Sequence, residues 1–248
     1  MTHSGTTEAS GAGTIKICGL KTDEALDAAL DAGAEMVGLV FFEKSPRHVD
    51  LATAARLGDR ARGRADIVVL TVDADDALLD EIVHAVRPDW LQLHGGESPE
   101  RCAALRARHG IRVMKALGVS GADDLARATP YVGHVDRLLF DAKPPKGADL
   151  PGGNGVSFDW RILRDLVPGV PLMLSGGLDA ARVGEAIRVS GLDAVDVSSG
   201  VERARGEKDP DLIRQFIAAA RAAFATRDGA ASSCDSSKDE SSQEGVEA

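Results

Sequence analysis

Short apolar runs and helical stripes take turns along the chain. Eight runs, TIKICG, EMVGLVFF, DIVVLTVD, WLQLHG, RVMKALGV, RLLFDA, PLMLSGG and AVDVSSG, are β-branched or leucine-rich and bounded by turn-forming or polar residues, the pattern of buried strands. The segments between them carry helix signals. Thr22 is placed to cap a helix whose Leu26, Ala29 and Leu30 share a face and which Gly33 ends. Ser98-Pro99-Glu100 opens another, with Cys102 and Leu105 on one side and Gly110 as its stop. Asp209-Pro210-Asp211 opens the last, where Leu212, Ile213, Phe216, Ile217 and Ala220 form an apolar stripe. Strands alternating with helices predict a parallel sheet, and eight such units in about 210 residues fit a single-domain α/β fold, the (β/α)8 or TIM barrel. A doubly wound open sheet is the alternative. The barrel is expected over residues 14–225, and the polar, apolar-poor ends, 1–13 and 226–248, are expected to be disordered.

Composition narrows the function classes. The 248 residues are 44% hydrophobic, ample for a core, and 29 Lys and Arg against 39 Asp and Glu give a net charge of −10. No basic stripe with interleaved aromatics appears, so nucleic acid is not an expected partner. The first residues lack a cationic start followed by an apolar run, and no window approaches a membrane-spanning length; a cytoplasmic location and no membrane partner are expected. Cys18, Cys102 and Cys234 show no metal-ligand spacing, and their odd number argues against a disulfide framework. Cys234 falls in the polar tail and Cys102 on a helix face, where a small buried hydrophobe is the expected role.

Cys18 differs by position. In a (β/α)8 barrel the C-terminal strand ends line the active site. Those ends here carry Cys18, His94, Asp141, Ser175 and the pair Ser198-Ser199, with Arg47 in the loop after the second strand. Glycine-rich stretches at Pro151–Gly155, Ser175–Gly177 and Ser198–Gly200, the last two directly after strands seven and eight, predict a cradle for a phosphate monoester, since backbone N–H groups there approach an anion closely. Tight turns are the plainer explanation of any one of them. Strands six, seven, eight and one are consecutive around a closed barrel. A phosphate above seven and eight is therefore flanked by a carboxyl group, Asp141, and a thiol, Cys18, an arrangement suited to proton shuttling. Asp141 as a cap or as the partner of Lys143 or Lys146, His94 as the satisfied support of the Gly95-Gly96 turn, and Arg47 as a solvated surface residue are the alternatives.

KICGL at 16–20, GLVFFEKSPRHV at 38–49, LQLHG at 91–95, LLFDA at 138–142, GGNGVSFDW at 152–160, LSGGL at 174–178 and DVSSGVE at 196–202 together resemble the phosphoribosylanthranilate isomerase family of tryptophan biosynthesis, from Thr14 to Phe224. The resemblance implies an Amadori rearrangement of N-(5-phosphoribosyl)anthranilate to 1-(2-carboxyphenylamino)-1-deoxyribulose 5-phosphate, with neither metal nor organic cofactor. It puts the general base on Cys18 and the general acid on Asp141. It puts the anthranilate carboxylate contact on Arg47, and the phosphate loops on Gly153, Asn154 and Gly155, on Ser175, Gly176 and Gly177, and on Ser198, Ser199 and Gly200. His94 completes the expected substrate contacts. Asn154 departs from the family's usual GGTG, which leaves backbone capture intact and a side-chain contact open. A histidine-pathway sugar isomerase, which uses paired aspartates, and a non-catalytic sensor of phosphorylated metabolites are the rivals; Cys18 argues against the first, and Cys18 with Asp141 against the second. A monomer is expected, with a dimer as the alternative.

Overall fold

On the first strand, β1 (Thr14–Cys18), Ile15 and Ile17 pack outward against the helices while Lys16 and Cys18 face the barrel interior, the two-residue alternation of a strand. The same alternation recurs in seven more strands: β2 (Met36–Phe41), β3 (Asp66–Thr71), β4 (Trp90–Leu93), β5 (Arg112–Val119), β6 (Arg137–Ala142), β7 (Leu172–Leu174) and β8 (Ala194–Val197). All are parallel, and the register of β1 on β8, from Thr14 against Ala194 to Ile17 against Val197, closes the barrel and excludes the open sheet. This computed structural model describes residues 13–143, 147, 152–153, 155–164, 166 and 169–235, with side chains through Arg227.

Helices α1 (Asp23–Asp31), α2 (Leu51–Ala61), α3 (Asp76–Val86), α4 (Pro99–His109), α5 (Val183–Ser190) and α6 (Pro210–Asp235) cover the outside. The expected caps form. Thr22 accepts from the Ala25 N–H, Ser98 accepts from Arg101 with Pro99 in the first turn, and Gly110 ends α4 in the left-handed conformation. After β5 and β6 the covering elements are 3-10 segments, Ala122–Tyr131 and Trp160–Leu163. Pro130 sits inside the first, where it cannot donate to an α-helical ladder. The sequence pattern missed an antiparallel hairpin after β8, formed by β9 (Glu202–Ala204) and β10 (Glu207–Lys208). Helix α6 runs on to Asp235, past the boundary expected at 225.

Two apolar layers result. The outer one joins the outward strand faces to the helices and includes the expected Leu26, Leu105, Ile213, Phe216 and Ile217. The inner one, Met36, Val68, Trp90, Met114, Leu139 and Met173 among others, fills the lower barrel. Above it Val40 and Leu70 pack beside Cys18 on one side, and the rest of the interior turns polar.

Candidate active site

The C-terminal mouth of the barrel holds a cleft of about 720 Å³, counting space open to solvent, lined by Cys18, His94, Asp141, Ser175 and the glycine loops. Cys18 is the last residue of β1 and is 4% exposed. It faces Gly38 of β2, where a Cβ would stand 2.9 Å from the Cys18 Sγ, so glycine there makes room for the thiol. Lys16 lies two residues below on the same face. Its Nζ donates to Asp196 Oδ1 at 2.8 Å, and Asp196 Oδ2 accepts from the Ser175 hydroxyl at 3.1 Å. Burial pushes the Cys18 thiol above its ordinary range, whereas the Lys16 and Lys208 ammonium groups pull the other way. Lys16 itself remains firmly cationic: burial opposes its charge, but Asp196 and Cys18 together outweigh that.

Asp141, on β6, is 6% exposed. Its Oδ1 accepts from the Ala142 N–H at 2.9 Å, and its Oδ2 lies 3.5 Å from His94 Nε2. Lys143 turns away to Asp124, at 3.4 Å, while Lys146 lies outside the described residues, so within the described structure the partner of Asp141 is His94. His94 lines the cleft, and the turn beyond it is held by other groups, Glu97 accepting from Gly95 and Asp73 from Gly96. Gly152 closes over this pair: a Cβ there would stand 2.5 Å from Asp141 Oδ2 and 2.9 Å from His94 Nε2.

The predicted anion loops converge on the same cleft. Gly153, Gly155, Ser175, Gly176, Gly177, Ser198 and Ser199 all line it, while Asn154 lies outside the described residues. The Ser175 and Ser198 hydroxyls are already engaged, the first donating to Asp196 and the second to the Cys18 carbonyl at 3.2 Å, which leaves backbone N–H groups and the Ser199 hydroxyl for an anion. Gly200 does not line the cleft; its backbone presses on Leu178, whose carbonyl oxygen would lie 1.8 Å from a Cβ.

Arg47 is 4% exposed, not a solvated surface residue. Its Nε and Nη2 donate to Glu202 at 2.7 and 3.0 Å, and Nη2 also reaches the Gly153 carbonyl at 3.2 Å. The fork expected to meet a substrate carboxylate is thus held by the protein, and Nη1 is the guanidinium nitrogen with no acceptor among the described residues. Lys16, Gly38, Asp196, Glu202 and Lys208 escaped sequence reasoning. A lysine and an aspartate amid apolar strand residues, at the inward positions of β1 and β8, were the available signal for two of them.

A closed (β/α)8 barrel with a thiol, a carboxyl group and glycine loops gathered at its C-terminal mouth has the form of a barrel enzyme acting on a small anionic substrate. A sequence model of N-(5'-phosphoribosyl)anthranilate isomerase matches residues 15–219, and the chain belongs to that family. It is 62% identical over 209 residues to N-(5'-phosphoribosyl)anthranilate isomerase of Mesorhizobium japonicum, covering 84% of this chain and 95% of that one. Phosphoribosyl anthranilate isomerase from Thermotoga maritima superposes with a TM-score of 0.76 at 34% identity, over 85% of this chain and 99% of the other. A phosphoribosyl anthranilate isomerase in complex with reduced 1-(o-carboxyphenylamino)-1-deoxyribulose 5-phosphate matches with a TM-score of 0.73, at the same identity and the same coverage. Among the described residues no helix is long and apolar enough to cross a membrane.

Proposed function

We propose that Asp141 and Cys18 are the acid and base with which the chain isomerises N-(5-phosphoribosyl)anthranilate to 1-(2-carboxyphenylamino)-1-deoxyribulose 5-phosphate, the reaction of its family in tryptophan biosynthesis. The observation that carries this reading is that both residues line one cleft with the glycine loops, on strands separated only by β7 and β8. The phosphate sits on backbone N–H groups of the loops after β7 and β8, and Arg47 meets the anthranilate carboxylate. Asp141 gives its proton to the furanose ring oxygen; the C1′–O bond breaks and the anilino nitrogen becomes an iminium. Cys18 then takes the C2′ proton, the electron pair of that C–H bond neutralising the iminium to an enolamine, which tautomerises to the ketone. Cys18 takes that proton as its thiolate, the form that burial disfavours and that the Lys16 and Lys208 ammonium groups and the iminium cation favour. Anchoring both anionic ends keeps C2′ beside one base throughout.

Further features support the rest of the reading. Only Leu78 and Val132 are exposed large hydrophobics among the described residues, at 38% and 37%, in keeping with a monomer. Free Cys18 and Cys102 suit a reducing cytoplasm. The decisive measurement is the loss of phosphoribosylanthranilate fluorescence on adding the purified chain. Saturable turnover is expected, and binding of the substrate without turnover would replace the enzyme with a sensor.

A further inference from the structure

The hairpin after β8 holds two charged groups that the reaction scheme leaves unused. Glu202 begins β9 and Lys208 ends β10, and their side chains are 4% and 2% exposed. Glu202 Oε1 accepts from Arg47 Nε at 2.7 Å and from Lys208 Nζ at 2.8 Å. Glu202 Oε2 accepts from Arg47 Nη2 and from the Gly206 N–H, both at 3.0 Å. Lys208 Nζ donates in turn to the Ser198 carbonyl at 2.7 Å and to its hydroxyl at 3.2 Å, and that hydroxyl donates to the Cys18 carbonyl. One carboxylate therefore ties the loop after β2, through Lys208, to the loop after β8 and to the backbone of the thiol.

The charges in this buried set do not balance. Arg47 and Lys208 share a single carboxylate, leaving one unmatched positive charge under the cleft, and a buried charge is unfavourable until an anion joins it. Burial works against the Glu202 carboxylate, but the Arg47 hydrogen bonds and the Lys208 ammonium outweigh it and bring its pKa down to about 2. Burial likewise weighs on Lys208, which falls to about 8 despite Glu202. Arg47 is fixed on its Nε–Nη2 edge, so a ligand meets it through Nη1.

We propose that Glu202 is a positioning and specificity-determining residue: it orients Arg47 for the aromatic carboxylate of the substrate and, by sharing its oxygens with Lys208, couples that grip to the loop that receives the phosphate. The inference deepens the reading above and rests on its assignment of Arg47. Glu202 touches no reacting atom; it acts through Arg47 and Lys208. Its removal should therefore erode the distinction between substrates with and without the carboxylate more than it erodes binding as such.

The test uses calorimetric titration of the full chain with two unreactive ligands, the reduced product analogue and the same compound lacking its aromatic carboxylate. The unaltered chain should prefer the carboxylate form by about thirtyfold or more, the scale of a charge-assisted contact. Glu202→Gln, with Arg47 intact, should cut that preference by about tenfold, and in an Arg47→Met background it should change the preference no further. Weakening of both ligands by Glu202→Gln with the preference unchanged would mark Glu202 as merely structural and overturn the proposal. Should Glu202→Gln not fold, Glu202→Asp carries the test: its carboxylate, shorter by one methylene, no longer spans Arg47 and Lys208, and the preference should fall by about threefold or more. An unchanged preference in that variant overturns the proposal. Equal binding of the two ligands by the unaltered chain overturns the Arg47 assignment and this proposal with it, whereas a preserved preference in Glu202→Gln overturns only the proposal.

Discussion

The lower and upper halves of the barrel interior are built from the same strands, yet they do opposite work. Below, Trp90 lies among Met36, Met114, Leu139 and Met173, its indole N–H donates to Asp66 Oδ2 at 2.9 Å, and the Arg112 guanidinium stacks 4.4 Å from its ring centroid. Above, at the upper ends of β1, β4, β6, β7 and β8, the inward side chains are Cys18, His94, Asp141, Ser175 and Asp196, while Val40 of β2 and Leu70 of β3 keep one side of the cleft apolar. Two residues of strand span only about 7 Å. The step from a buried apolar floor to a cleft lined by charged groups is therefore abrupt. Above the floor the buried charges are held by specific partners, as Asp196 is by Lys16 and Ser175. Stability and chemistry are thus separable along one strand, which substitution at the two levels can verify.

The largest contrast is expected at the roof. Cys18→Ala or Asp141→Asn should lower turnover by about a hundredfold or more while substrate affinity changes little, the usual scale for losing a general acid or base. Unfolding in denaturant should show less than about 1.5 kcal/mol of lost stability for either, since neither leaves a large void. Near-normal turnover in both would remove them from the mechanism.

At the floor the signs reverse. Trp90→Ala deletes a side chain only 5% exposed, together with its hydrogen bond and its cation–π contacts. It should destabilise the fold by about 3–5 kcal/mol. His94 is four residues further along, about 13 Å away, so the folded fraction should keep its turnover within about twofold. A catalytic loss exceeding the loss of folded protein would show that the two halves are coupled.

Between these lies the hairpin. The folded pKa of Glu202, about 2, is below its ordinary 4.5. The stabilisation it supplies is accordingly complete above pH 4.5 and is lost as pH falls from there towards 2, the unfolded chain binding the proton first. About 3 kcal/mol is at stake. Denaturant unfolding at pH 7 and pH 3 should show a smaller acid loss in Glu202→Gln than in the unaltered chain. Equal acid losses would mean that other carboxylates govern acid unfolding. The smallest effect is expected at the end of α6. Arg227 donates to the Leu192 carbonyl at 2.9 Å, and Phe224 is 1% exposed. A chain ended after Arg227 should keep both anchors and melt within about 2 °C of the full length; a drop of several degrees would show that the remaining residues pack.

Much of this arrangement was legible in the chain itself. Alternating apolar runs, the caps at Thr22 and Ser98, and the strand-end positions of Cys18, His94, Asp141 and Ser175 depend on local periodicity and turn chemistry, and those act over a few residues. The eightfold repeat, once taken as a closed ring, also puts Asp141 and Cys18 on opposite sides of the anion loops. Tertiary structure alone decided what contacts what. Glu202 lies 155 residues from Arg47, and Asp196 lies 180 from Lys16; no local pattern encodes a pairing across that separation. Buried polar groups need partners wherever the fold can supply them, so the identity of the partner is a property of closure. That is why the sequence could offer Arg47 as a carboxylate clamp, while only the folded barrel showed its fork already held by Glu202.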